Sequence, residues 1–340
     1  MKTRLINLFF TIFIVSITSG QTLKFVSART AEPLSNVSVF TETGTLLTTS
    51  DVEGNIQKEA LLPLKDRYVL VYESYDIGNL TSQDVDSETV KLEDRISEIQ
   101  TVVISSKKAK YMTVRGHFHV YLTVNREFNV YADGIATYVY DNDTKKLKNV
   151  MVEQYRTFAK SDEDADSKKV ASLVYEGFLQ VPGLDEIGRI KDHKSNGKKN
   201  GYKEIQGIEE TRMQIHRAAL QEKGYTIFGY SFYDFEYLNS VSFTKGSMDL
   251  KDFTEFDEKL NFKIKHKSEP EFHQMIKYSK FIPVEVSFSN APATSKLKLN
   301  PKKSSYTYEY WKAKGFPNMQ PVFESFFKDS LKEGANTAKP

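Results

Sequence analysis

The chain contains no cysteine. That excludes disulfides, thiolate catalysis and zinc held through sulfur, and it also excludes a lipid attached through a processed N-terminal cysteine. A chain without covalent staples needs a large core, and 340 residues suffice for one large or two ordinary domains. A surplus of one charge sign is also missing: 47 basic against 45 acidic residues leave +2. Beyond the first twenty residues no run is long and apolar enough to span a bilayer. No Gly-x-Ser-x-Gly elbow, P-loop or dinucleotide-binding glycine pattern occurs, so acyl-transfer and nucleotide chemistry lack their usual signatures.

What is present begins with an address. In residues 1–20, Lys2 and Arg4 precede an apolar stretch from Leu5 to Ile17, and the small Thr18, Ser19 and Gly20 follow. This pattern predicts a signal peptide cut before Gln21, because the apolar run is too short for a membrane anchor and polar Gln21 and Lys24 follow at once. Removing Lys2 and Arg4 leaves 45 basic and 45 acidic residues (47 − 2 against 45), so no whole-molecule field favours nucleic acid or an anionic membrane. The sequence thus predicts an exported chain with no transmembrane segment once mature; the periplasm is the default compartment, with the outer membrane or the medium as alternatives.

Residues 21–106 read as short strands between turns. Leu23 and Phe25 alternate with polar neighbours, Val37 and Val39 do so after Glu32-Pro33, and Leu70 and Tyr72 line one face of the next run. The run Ala31 to Val39 resembles the "xEPLxxVxV" opening of carboxypeptidase regulatory-like domains, and Thr49 to Ile56 resembles their "TDxxGxF" turn. Tyr72 to Gly78 is similar to the "SxxGY" strand and Glu98 to Ile104 to the closing "LxEVVV" strand. The resemblance covers about a quarter of the chain. It departs from the family at Asn55-Ile56, where Arg-Phe is usual, and after Gly78, where no Tyr follows. It implies a seven-stranded transthyretin-like β-sandwich that is not itself catalytic. In the turn, Gly54 would supply a positive φ and Asp51 would bind neighbouring backbone amides. Such domains commonly precede transporters or domains of unknown role in Bacteroidetes-type envelope proteins.

Residues 107–340 predict an α+β domain with a curved antiparallel sheet and one or two packed helices, so the whole chain is mainly β. The stretch 105–110 reads as a linker. From Met112 to Val124 even-numbered apolar residues alternate with Arg115, His117, His119, Tyr121 and Thr123, and a meander continues through Ile135–Tyr140 and Val150–Val152. Tyr131 to Ile135 resembles a "YxDGI" turn of Bacteroidetes proteins of unknown function. Ile208 to Lys223 predicts a helix, with Ile208, Thr211, Ile215, Ala218 and Ala219 as its stripe and Gly224 as its cap. Further strands are predicted over Tyr225–Tyr237, Asn261–Lys267 and Pro283–Phe288, loops over 160–169, 191–203 and 290–304, and a terminal helix carrying Trp311, Phe326 and Phe327.

The chemistry-bearing patterns are few. His117 and His119 are candidate metal ligands, two apart on one strand face, but Arg115 shares that face and no acidic third ligand adjoins. His266-Lys267-Ser268-Glu269 imitates a carboxypeptidase zinc pair, yet the only later histidine is His273. Asp162, Asp164 and Asp166 imitate a calcium loop but lack its glycine and closing glutamate. No cofactor is predicted. The expectation is a non-catalytic envelope protein that binds or scaffolds a partner protein. One alternative is a periplasmic carrier of a lipid or other apolar ligand, using aromatics between Tyr225 and Phe243. Another is a hydrolase with an unrecognised site.

Overall fold

The structure is a computed structural model and describes residues 22–72, 75–93, 102–104, 109–160, 177–195, 201–208, 210–219, 224–291, 297–313, 316–320, 327 and 330–338. The predicted signal peptide, the acidic loop with Asp162, Asp164 and Asp166, most of the 105–110 linker and Phe326 lie outside them. Contacts divide the chain into two compact units: Met1–Glu42, Leu47–Tyr72 and Asp76–Arg95 make up the first, and Thr43–Leu46, Glu73–Tyr75 and Ile96–Pro340 the second.

In the first unit, β1 (Thr22–Ser27), β4 (Asn55–Gln57) and β7 (Thr89–Leu92) form one sheet in the order β4-β1-β7. The strands β2 (Ser38–Thr41), β3 (Leu46–Thr49), β5 (Arg67–Tyr72) and β6 (Tyr75–Thr81) form the other, in the order β3-β2-β5-β6. Side chains from both sheets meet in one apolar cluster: Leu23, Phe25, Ile56 and Leu92 from the first, Val39, Leu70, Tyr72 and Leu80 from the second. The alternation read from the sequence is the one that closes this core. The 51–55 turn is built as its residues require. Asp51 Oδ1 accepts from the amides of Glu53 at 2.9 Å and Asn55 at 2.8 Å. Gly54 has φ +80, and a Cβ there would stand 2.5 Å from the Phe25 carbonyl oxygen.

The second unit is dominated by an eleven-stranded sheet. Its strands are β8 (Val102–Ile104), β9 (Tyr111–Val124), β10 (Glu127–Asp141), β11 (Leu147–Ala159), β12 (Tyr202–Gln206), β13 (Glu210–Ala219), β14 (Tyr225–Ile227), β15 (Tyr230–Thr244), β16 (Phe253–His266), β17 (His273–Ser289) and, after a small pair begun by β18 (Lys303–Ser304), β19 (Lys332–Glu333). The pair's second strand is β20 (Ala335–Asn336). The order across the sheet is β12-β13-β15-β16-β17-β9-β10-β11-β19, antiparallel throughout, with β14 added to β15 and β8 parallel to β17. The β9–β10–β11 meander follows the predicted alternation. Pro283 sits inside β17, where its missing N–H is accommodated by a register shift between Pro283 and Glu285.

The sheet curls. Val152 and Tyr155 of β11 share one apolar cluster with Met213 and Ile215 of β13, although these strands lie towards opposite ends of the strand order. Leu184 and Ile187, from the short helical stretch Leu184–Arg189, complete that cluster on the inner face. Tyr138 and Tyr140 tie this segment down by donating to the carbonyls of Pro182 at 2.7 Å and Leu184 at 3.0 Å.

Four expectations are corrected. Ile208–Lys223 is not a helix: Glu210–Ala219 is strand β13, paired to β12 and β15, and Ile208 is 57% exposed. Residues four apart share a face in a strand as well as in a helix, so Thr211 and Ile215 fit both periods, and buried Met213 between them fits only the strand. The loop expected over 191–203 contributes residues to the helix Ile190–Ser195 and to β12. The strand expected to close the sandwich, 102–104, instead extends the large sheet against Glu285–Ser287 of β17. Trp311 lies in a single 3-10 turn, Tyr310–Lys312, not in a terminal helix.

Candidate functional site

The inner face of the large sheet can be read row by row from its pairing registers. On β16 the inward positions are Phe256, Glu258, Leu260, Phe262 and Ile264, an apolar series broken once, at Glu258. Directly across lie Asn239 on β15 and Ser279 on β17. The row continues through Val120 on β9, Ala132 on β10 and Thr157 on β11. The neighbouring row on one side carries Phe256, Phe281 and Phe118, and the row on the other Leu260, Lys277 and Leu122. Rings and long side chains thus flank a belt of small and polar ones.

The polar groups in and beside the belt are buried. Lys277 Nζ stands 3.0 Å from Glu258 Oε1, with both side chains about nine-tenths covered. Asn239 donates through Nδ2 to the Tyr237 hydroxyl at 3.1 Å. Three atoms of the row, Asn239 Oδ1, Ser279 Oγ and Thr157 Oγ1, are buried without a hydrogen-bond partner among the protein's own groups. An unmet buried polar atom costs about 1–3 kcal/mol, so three in one row call for a partner.

Towards the end of the sheet that carries the β14–β15 and β16–β17 turns, the inner face becomes aromatic. Tyr225 stacks on Phe232 with centroids 4.8 Å apart and on Phe235 at 5.4 Å, and Phe235 stacks on Phe262 at 5.5 Å. Phe178 closes on Phe262 at 5.1 Å. Phe232 and Phe262 belong to an apolar cluster with Leu122, Val130, Ile264 and Met275, so the stack continues into the inner core. Its outer member Tyr225 is 52% exposed, and the residues that follow it towards the turn, Ile227 at 50% and Phe228 at 91%, are exposed as well. Phe228 occupies the tight turn at φ +50, beside Gly229 at φ +86. That turn favours Asn or Gly, so the large ring stands there at a cost in backbone energy.

The opposite face is covered by the C-terminal segment. Asp133, buried in β10, accepts from Arg156 Nε at 3.0 Å and again from its Nη2, from the Tyr131 hydroxyl at 3.1 Å and from the Tyr310 hydroxyl at 2.8 Å. Trp311 lies over the guanidinium at 3.9 Å, and Gln320 accepts from its Nη1 at 3.1 Å. Burial disfavours the charge on Arg156, but Asp133 more than offsets it and holds the guanidinium firmly protonated.

The predicted metal ligands lie on this covered face. His117 packs against Phe316 at 4.9 Å, and burial, then Arg115, pushes its pKa down to about 4. His119 is fully buried and stacked with Tyr278, Tyr131 and Tyr121. Burial and Lys280 lower its pKa to about 3. Both are neutral at pH 7 and engaged with rings rather than with a shared ligand position. His266 bonds Ser268 through Nδ1 and its amide donates to Glu269, while His273 stands 3.9 Å from Glu269. Among the described residues no three His, Asp or Glu side chains are grouped as a metal site.

Comparison gives no further guide: the chain matches no protein-family model, and no curated protein matches it. Sequence reading singled out the aromatics after Tyr225 but not Asn239, Glu258, Lys277, Ser279 or Thr157. The signal was available in the phase of each strand. Glu258 interrupts Phe256-x-x-x-Leu260, Asn239 separates Tyr237 from Val241, and Lys277 and Ser279 separate Met275 from Phe281, each at an inward position.

Proposed function

We propose that this is a non-catalytic, exported envelope protein whose second unit carries an apolar or amphipathic ligand along the inner face of its curled sheet. The observation that carries the reading is the ring stack of Tyr225, Phe232, Phe235 and Phe262, which is solvent-exposed at Tyr225 and continuous inward with a buried apolar cluster. Core packing alone gives no reason to leave Tyr225, Ile227 and Phe228 in water together. A cleft that is mostly apolar with a few placed polar groups is the usual form of a small-molecule site.

Export rests on the N-terminal pattern, and the periplasm remains the reading for a cleaved signal without an anchor; among the described residues no helix is long and apolar enough to cross a membrane. The first unit fits the carboxypeptidase regulatory-like reading in the Asp51–Gly54 turn. On that reading it is a binding or scaffolding module for a partner protein of the envelope.

The test is purification without detergent, followed by mass spectrometry of extracted small molecules and N-terminal sequencing. The expected result is a chain beginning at Gln21 that carries a stoichiometric apolar compound. If the protein is empty and the delipidated chain gains no fluorescence from a pyrene-alkane probe, the carrier reading fails.

A further inference from the structure

We infer that the tip of the β14–β15 hairpin is a membrane-docking element, which inserts its rings among the headgroups of a phospholipid bilayer. The inference goes beyond the carrier reading and stands whether or not the inner face holds a ligand.

The tip is a two-residue turn, Phe228-Gly229, closed by the pairing of Ile227 with Tyr230. Both turn residues have positive φ, +50 and +86, a geometry for which Asn-Gly is the favoured pair. Phenylalanine is costly to the backbone there, and its ring, 91% exposed, gains nothing from the core. The turn is braced. The Lys267 amide donates to the Gly229 carbonyl at 2.8 Å, and Tyr230 pairs with His266 of β16. Phe228 is therefore held out in solvent by a fixed hairpin.

The tip is apolar on both faces. Tyr225 and Ile227, two apart on β14, share one of them. Tyr233 follows the inward Phe232 and so points to the other, where its ring meets Phe272 edge-on at 5.1 Å. These two rings are 38% and 37% exposed. A protein groove would cover one face of such a hairpin and leave the other wet. A bilayer surrounds an inserted tip, so the apex and both faces leave water together.

The charges suit the same occupant. Lys265 lies along Phe272, with Nζ 5.0 Å from the ring centroid, and Lys267 is exposed; among the described residues neither has an ion-pair partner. Lys263 is neutralised by Asp234 at 2.7 Å. Of the two glutamates in the following turn, Glu269 is turned inward and accepts from the His266 amide at 2.7 Å, so only Glu271 is exposed. Two amines set behind the rings can reach lipid phosphates while their stems follow the apolar tip.

The experiment sediments the full chain, prepared without detergent, with vesicles of phosphatidylcholine alone or mixed with phosphatidylglycerol. The parent chain is expected to bind both, the mixed vesicles more tightly, and Lys265→Gln with Lys267→Gln should remove that difference. Phe228→Asn gives the turn its favoured residue. Its urea midpoint should equal or exceed the parent's while vesicle binding falls about tenfold, the worth of one buried ring. A purely structural Phe228 would do the reverse, lowering the midpoint and leaving vesicle binding unchanged. Absence of the parent chain from the vesicle pellet, or undiminished binding by Phe228→Asn, would overturn the docking and leave the tip to a protein partner. The pyrene-alkane probe on the same preparation reads the carrier separately: probe binding without vesicle binding removes only the docking, and the converse removes only the carrier.

Discussion

At the scale of single residues, the best-determined feature of the second unit is the Asp133–Arg156 pair. Both side chains are almost wholly buried, at 0% and 3% exposed, and the carboxylate is bonded by Arg156, Tyr131 and Tyr310 together. Removing only the cation leaves a charge buried and uncompensated, which costs about 3–5 kcal/mol. Arg156→Met should therefore lower the stability of this unit by that amount, and Asp133→Asn added to it should recover part of the loss. The protein's single tryptophan, Trp311, sits over the guanidinium, so urea unfolding followed by its fluorescence reads the effect locally. An Arg156→Met protein as stable as the parent would contradict the role given to the pair. A second prediction concerns His119. Its folded pKa, about 3, lies below the ordinary 6.5, so the unfolded chain takes up the proton first. The stability it contributes is complete above about pH 6.5 and is lost as pH falls from there towards 3, by about 1.4 kcal/mol per pH unit. His117 acts in the same direction over a narrower window, down to about 4. Urea midpoints at pH 7 and pH 5 should diverge less for His119→Phe than for the parent chain; equal divergence would remove His119 as a cause.

At the scale of strands, packing in the second unit depends on two glycines in its longest strands. Gly116 on β9 and Gly134 on β10 stand in or beside the row of large rings. A Cβ on Gly134 would meet the Gln154 carbonyl oxygen at 2.3 Å and a Phe118 ring carbon at 2.7 Å, and one on Gly116 a Phe281 ring carbon at 2.5 Å. Gly134→Ala should cost about 1–3 kcal/mol by overpacking, measured by the same fluorescence, and Gly134→Val should leave the protein in inclusion bodies. How far such elements could be read from the sequence depended on the period. The β9–β10–β11 meander was legible because Met112 to Val124 alternates without a break, and the sandwich core because Leu23, Phe25, Leu70 and Tyr72 do likewise. Strand β13 was not, since Thr211 and Ile215 satisfy both periods and only its neighbours, β12 and β15, decide between them. The belt of Asn239, Glu258, Ser279 and Thr157 was legible only in part. Each strand shows polar residues in an inward phase, but the register that aligns them across distant strands is a property of the folded sheet.

For the whole molecule, the question is where one unit ends and the next begins. The sequence places that boundary after residue 106, because Thr101 to Ile104 resembles a closing sandwich strand, whereas contacts divide the chain after Arg95. The difference has a physical basis in β17. This strand is 17 residues long, and its pairing with β16 stops at Phe281. The edge beyond, from Glu285 to Ser287, would present free backbone groups if β8 did not pair with it. A short run of β-branched residues, Val102-Val103-Ile104, suits that place as well as it suits a sandwich edge, so composition alone cannot assign it. Uncovered strand edges invite pairing between molecules. A fragment of residues 96–340 should therefore be soluble and unfold cooperatively, with the Trp311 signal of the full chain, whereas residues 107–340, which lack β8, should aggregate at the same concentration. Light scattering and urea unfolding of the two fragments separate the cases. If the shorter one is as soluble and as stable as the longer, β8 is dispensable to the second unit and the boundary read from the resemblance is restored.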